Sequence, residues 1–186
     1  MDKTNRTEIQ RLFLLEGLPE PLTRASSHIQ IFDNYISKTR MRLRSVRVPE
    51  SKEWTHTLQQ RFPSRAGDLS CMKFAEIHLN ESEYERFRIF EGTETRKNRY
   101  FHEFDGRVIA FDLFLGNLWG LNMAKVELDG VESAVDYEPP PFALFEVTGE
   151  PFFDGESLVN KKFEDVQAEV MKLVPLVKGI EETSVD

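Results

Sequence analysis

Charged and apolar side chains alternate along much of this chain. The pattern is plainest in Thr39-Arg-Met-Arg-Leu-Arg-Ser-Val-Arg47, where Arg40, Arg42 and Arg44 fall on one side of a strand and Met41 and Leu43 on the other. A solvated arginine face is the plainer reading for an isolated strand, but neighbouring segments bring charge to the same parity. Glu8-Ile-Gln-Arg-Leu-Phe-Leu-Leu15 places Glu8, Gln10 and Leu12 together, and Ile29–Ile36 feeds the arginine strand through Lys38-Thr39. Trp54–Phe62 sets Thr57, Gln59 and Arg61 on one face, and Ser70–Leu79 does so for Glu76 and His78. Lys97–His102 and Val108–Leu115 flank Asp105-Gly106, a strong hairpin signal, and Leu121–Leu128 is a further strand ending at Asp129-Gly130.

Helical signals are fewer. Asn80 with Glu83 reads as a capping box opening a helix from Glu81 to about Phe90, burying Tyr84, Phe87 and Phe90 and stopped by Gly92. A short helical turn is expected within Leu22–His28. Gly17-Leu-Pro-Glu-Pro21 and Pro139-Pro-Pro141 interrupt regular structure. Phe163, Val166, Val170, Leu173 and Val177 form a helical stripe, with Glu164 and Asp165 at its start and Lys172 and Lys178 near its end, where the helix dipole favours them. Pro175 should kink or loosen the last turn. About seven strands in consecutive hairpins with two or three helices predict an antiparallel sandwich or barrel with helices outside. Charge alternating along several strands would make such a barrel polar inside, where ligands bind.

Composition narrows the chemistry. The 186 residues suit one domain, and 40% hydrophobic with 30% charged residues describe a globular chain. A net charge of −8 argues against bulk electrostatic binding of nucleic acid, so any basic site must be local and enclosed. No DNA or membrane partner is predicted. The single cysteine, Cys71, excludes an internal disulfide and a thiolate-rich zinc site. The start of the chain lacks the apolar run of a signal peptide and no stretch is long enough to span a bilayer, so a cytoplasmic protein is expected. His28, His56, His78 and His102 show no metal-ligand spacing, and Ser70-Cys71 has no base pattern beside it. Trp54, Trp119, Phe142, Phe145, Phe152 and Phe153 read as core.

Five fragments in order carry a resemblance: Glu8-Ile-Gln10-Arg-Leu12; Arg42-Leu-Arg44; Lys97-Asn-Arg99-Tyr100 followed by Asp112-Leu-Phe; Gly120-Leu-Asn-Met-Ala-Lys125-Val-Glu127; and Glu146-Val147-Thr148. Together they resemble the CYTH domain, the triphosphate tunnel metalloenzymes that include class IV adenylate cyclases, thiamine triphosphatases and inorganic triphosphatases. The similarity runs from Glu8 to about Val159. It implies an α+β fold: an eight-stranded antiparallel β-barrel, or tunnel, with flanking helices over residues 1–160, and a C-terminal helix and tail over 161–186. It also implies a bound triphosphate or other polyanion, held by Arg42, Arg44, Arg61, Lys97 and Arg99, since guanidinium forks match phosphate oxygens. Glu8, Glu76, Asp112 and Glu127 would be the metal carboxylates, for Mg2+ or Mn2+.

Several positions depart from the family pattern. Gln10 replaces a glutamate, Leu12 and Gln59 replace lysines, Lys125 replaces a glutamate, and His78 stands where an acidic residue is usual. Glutamine ligates without charge, and an ammonium repels a divalent cation. Six cations, counting Lys125, then face four carboxylates, and such a cluster requires neutralisation. The expectation is an anion-binding tunnel better preserved than its metal site, with Lys125 in the space of a metal beside Glu8 or Glu127. Three functions stay open: a metal-dependent triphosphatase, a catalytically impaired tunnel that binds polyphosphate or nucleotide as a regulatory module, and a structural use of the barrel.

Overall fold

The computed structural model describes residues 3–90 and 92–181. Nine strands make up its single sheet: β1 (Lys3–Leu14), β2 (His28–Ile36), β3 (Met41–Arg47), β4 (Trp54–Pro63), β5 (Cys71–Leu79), β6 (Gly92–Phe104), β7 (Arg107–Phe114), β8 (Asn122–Leu128) and β9 (Phe145–Glu146). Their order is β5-β4-β3-β2-β6-β7-β8-β1-β9, every pairing is antiparallel, and β1 also pairs with β5. That last pairing closes eight strands into a barrel, the predicted class. β1 makes the closure by dividing its length, with residues 3–9 against β5 and 9–14 against β8.

Alternation sorts the side chains as the sequence suggests. On β7 and β8, Asp112, Phe114, Met123 and Lys125 face the barrel cavity. Their neighbours Phe111, Leu113, Ala124 and Val126 join Phe13, Tyr100 and Ile109 in an apolar cluster on the outer flank, partly covered by Leu18, Leu22, Tyr137 and Phe142. A second cluster gathers Leu14, Leu118, Leu121, Val147 and Val166 with Phe114, Met123, Phe153 and Leu158. The last four also line the cavity, so this cluster is its apolar floor.

Three short helices and one long one surround the barrel: α1 (Glu81–Phe87), α2 (Val131–Val135), α3 (Gly155–Leu158) and α4 (Phe163–Glu181). Phe163, Val166, Val170 and Leu173 seat α4 on the floor cluster. Gly120, at φ 108°, permits this approach, because a Cβ there would come within 2.7 Å of the Phe163 ring. Asp105 and Gly106, both at positive φ, form the β6–β7 turn. No helix among the described residues is long and apolar enough to cross a membrane.

Several expectations are corrected. The capping box at Asn80 and Glu83 is present, but α1 ends at Phe87; Tyr84 and Phe87 are half-buried and Phe90 is exposed. Gly92 does not stop the helix. It opens β6 instead, opposite Ile36. Residues 22–27 form turns rather than helix, and α2 follows Gly130 where only a turn is expected. α4 continues past Pro175, and the Val177 side chain lies outside the described residues. Trp54 and Trp119 are not core: they are 49% and 54% exposed. Trp54 leans on Phe32 and Trp119 carries the Arg24 guanidinium, so ring faces rather than full burial satisfy them.

Candidate triphosphate tunnel

The barrel encloses a cavity of about 320 Å3. Its lining includes Arg42, Arg44, Arg61, Lys97 and Arg99, the carboxylates Glu8, Glu76, Asp112 and Glu127, and the altered positions Gln10, Leu12, Gln59 and Lys125. Period-two geometry brings them together: each is an inward residue of β1, β3, β4, β5, β6, β7 or β8.

Cross-strand register decides who meets whom. Asp33 on β2 stands opposite Arg44, and its carboxylate accepts from Arg44 Nε at 2.6 Å and Nη2 at 2.7 Å, with Arg42 Nη1 at 3.4 Å. Asp112 stands opposite Arg99 and does the same, accepting from Arg99 Nε at 2.6 Å and Nη2 at 2.7 Å and from Lys97 Nζ at 2.7 Å. These two forks fix four cations in place. Burial by itself would raise both aspartates; Arg42 and Arg44 around Asp33, and Arg99 and Lys97 around Asp112, hold them far below the usual carboxylate range. Burial pulls Lys97 down to about 8 against the opposing attraction of Asp112, whereas the negative charge of Asp33 keeps Arg42 firmly charged despite its burial.

The opposite wall is arranged differently. Glu8 is shared by three cations: Arg6 Nη2 at 2.6 Å, Lys125 Nζ at 3.1 Å and Arg61 Nε at 3.6 Å. Burial would raise its carboxyl, but Lys125, Arg6 and Arg61 bring it down to about 2. Lys125 also reaches Glu127 at 2.7 Å. Arg61 donates to Gln10 Oε1 at 2.6 Å and lies 3.8 Å from Asp154, yet its buried Nε has no hydrogen-bond acceptor. Burial and the nearby Arg42 lower its pKa, against the opposing pull of Glu8 and Asp154. Gln59 accepts from Arg42 Nε at 2.7 Å and donates to Glu76 at 2.8 Å, linking a guanidinium to a carboxylate on the next strand.

Sequence reasoning missed Asp33, Tyr35, Arg6 and Asp154. With them the tunnel holds seven cations and six carboxylates, not six and four, so the protein itself supplies most of the neutralisation. Asp33 leaves a trace in the sequence, as the one carboxylate inside an apolar strand that hairpin register sets against Arg44. Asp154 lies in the irregular segment at 151–158, where no period applies. Thr148 is structural: its hydroxyl accepts from Leu12 N and donates to Glu146, tying the end of the chain's last strand to β1.

No family model matches the sequence. The inorganic triphosphatase of Nitrosomonas europaea is 27% identical over 158 residues, spanning 82% of this chain and 96% of that protein. A crystal structure of an inorganic triphosphatase shares the fold with a TM-score of 0.55 at 24% identity, covering 82% of this chain and 93% of that one. A second crystal structure of the same protein gives 0.57 at 24% identity over 83% of this chain and 99% of its own. The chain shares the barrel fold of these structures.

CYTH tunnels are expected to bring a divalent metal to the triphosphate, and the donor set here does not fit one. Both oxygens of Glu8 are bonded to cations, Glu127 is bonded to Lys125, and Asp112 is consumed by Lys97 and Arg99, which leaves Glu76, bonded to the Gln59 amide, as the one named carboxylate clear of a cation. The Gln10 oxygen is occupied by Arg61. Among the described residues no three His, Cys, Asp or Glu side chains converge as ligands for a metal ion.

Proposed function

We propose that this CYTH tunnel binds a triphosphate through Arg42, Arg44, Arg61, Lys97 and Arg99 and hydrolyses inorganic or organic triphosphate in the cytoplasm. The observation that carries this reading is the convergence of five cations from three strands on one enclosed cavity, with Arg61 Nε left without an acceptor. The similarity to an inorganic triphosphatase supports it. Phosphoryl transfer asks mainly for positioning and for stabilisation of charge on the transferred group, and preorganised guanidinium groups provide both. Asp33 and Asp112 hold those groups in orientation before the anion arrives. Of the two cofactor readings, Mg2+ or Mn2+ against none, the donor set favours none, and no step is assigned to a metal.

One observation favours a second reading, a tunnel that binds polyphosphate or nucleotide as a regulatory module: an ammonium, Lys125, sits where a carboxylate is usual. Phosphate release from tripolyphosphate and nucleoside triphosphates, beside an Arg42→Ala/Arg44→Ala control, separates the two. Turnover that the control loses establishes the hydrolase. No turnover, with a tripolyphosphate-induced rise in Tm that the control loses, establishes the binding module. Neither signal would refute both.

A further inference from the structure

The register between β1 and β8 sets Leu12 directly opposite Lys125 and Gln10 opposite Glu127. The lysine absent at position 12 therefore has its counterpart across the same strand pair, at a position where the family pattern has a glutamate. From there the ammonium reaches Glu8 Oε2 at 3.1 Å and Glu127 Oε1 at 2.7 Å. Two carboxylates bracketing one positive centre form a cation position, and in this chain a side chain fills it.

We propose that the Lys125 ammonium is a built-in replacement for a divalent ion, so that the tunnel binds its polyanion without metal. This rests on the reading of the cavity as a triphosphate site. The replacement is consistent in charge. Glutamate to Gln10, glutamate to Lys125 and an acidic residue to neutral His78 add positive charge to the cavity, while the loss of lysines at Leu12 and Gln59 removes some of it, leaving a net gain of two relative to the family pattern. A covalently attached cation also differs from a metal in what it does. It offers donors to phosphate oxygens but has no open coordination position on which to bind and acidify water.

The test is a single reversal. Lys125→Glu places a third carboxylate beside Glu8 and Glu127, the hard oxygen set that Mn2+ and Mg2+ prefer. Titrated with Mn2+ in the absence of any anion, the wild-type protein is expected to show no saturable binding by calorimetry. The variant is expected to bind at least about tenfold tighter than any residual wild-type signal. Lys125→Gln, which removes the ammonium without adding a ligand, distinguishes site creation from relief of repulsion, and circular dichroism confirms that both variants are folded. Saturable Mn2+ binding by the wild type, or its absence in folded Lys125→Glu, overturns the inference. In a second arm, tripolyphosphate is titrated into the wild type with EDTA or with Mg2+. Affinity in EDTA at least as high as in Mg2+ is expected, because Mg2+ itself complexes tripolyphosphate, and binding that requires Mg2+ overturns the inference alone. No tripolyphosphate binding in either buffer defeats the functional reading of the cavity and with it the claim of metal-free anion binding, while the Mn2+ arm still decides what Lys125 replaces.

Discussion

The two walls of the tunnel solve the same problem differently. Around Asp33 and Asp112, each buried aspartate takes one arginine as a two-bonded fork and one further cation. Around Glu8, three cations crowd one carboxylate with looser contacts, and Arg61 Nε lacks a hydrogen-bond acceptor. The first wall is preorganised: its arginines are already aimed before an anion enters. The second balances in number, with Glu8, Glu127 and Asp154 beside Arg6, Arg61 and Lys125, whereas four cations face two aspartates on the first, so the unspent positive charge lies with the first. The preorganised wall thus both holds geometry and keeps attraction for an anion, while the other is tied together by looser pairing.

Breaking the ordered wall should have the largest effect. Asp33→Ala leaves Arg44 and Arg42 buried without their carboxylate, a loss on the order of 3–5 kcal/mol in urea denaturation. Tripolyphosphate should restore part of that stability, because it supplies the missing negative charge. Arg42→Ala/Arg44→Ala comes next. Each charge-assisted contact is worth about 1.5–3 kcal/mol, so calorimetric affinity for tripolyphosphate should fall by two or more orders of magnitude. Retained affinity would move the anion away from this wall.

Titration probes the difference between the walls more gently. Burial draws Lys97 from its ordinary 10.5 down to about 8, so its charge is lost progressively through that range. Tripolyphosphate affinity should therefore decline above pH 8, by at most about tenfold per pH unit, and Lys97→Gln should flatten the profile between pH 8 and 9. Glu8 moves the other way. Its pKa falls from 4.5 to about 2, so the stability it contributes is complete above pH 4.5 and is lost as pH falls toward 2. Glu8→Gln should remove that portion of the acid unfolding curve. The smallest effect lies outside the tunnel: Asn80→Ala removes the α1 cap and should lower stability by about 1 kcal/mol without changing anion affinity.

Much of this cavity was legible because strands expose their period directly. Arg42 and Arg44, Gln59 and Arg61, Lys97 and Arg99 each differ by two, and that spacing alone puts each pair on one face. What escaped was compensation. Asp33 shares its parity with Ile29 and Ile31, so the strand reads as ordinary core until register sets it against Arg44. Asp154 approaches Arg61 from an aperiodic segment, a contact that only tertiary structure creates. The tryptophans failed for another reason: ring size suggests burial, but Trp54 and Trp119 satisfy one face against a neighbour and leave the other to solvent.

The divided pairing of β1 has a consequence for how the chain is made. The first strand synthesised finds its partners only in β5, β8 and β9, with Leu14 opposite both Met123 and Phe145. Hairpins from β2 to β5 and from β6 to β8 can form as they leave the ribosome, because each partner follows closely. The first half of β1 can pair once β5 is made, but its second half waits for β8 and β9, and closure of the ring is the slow, long-range event.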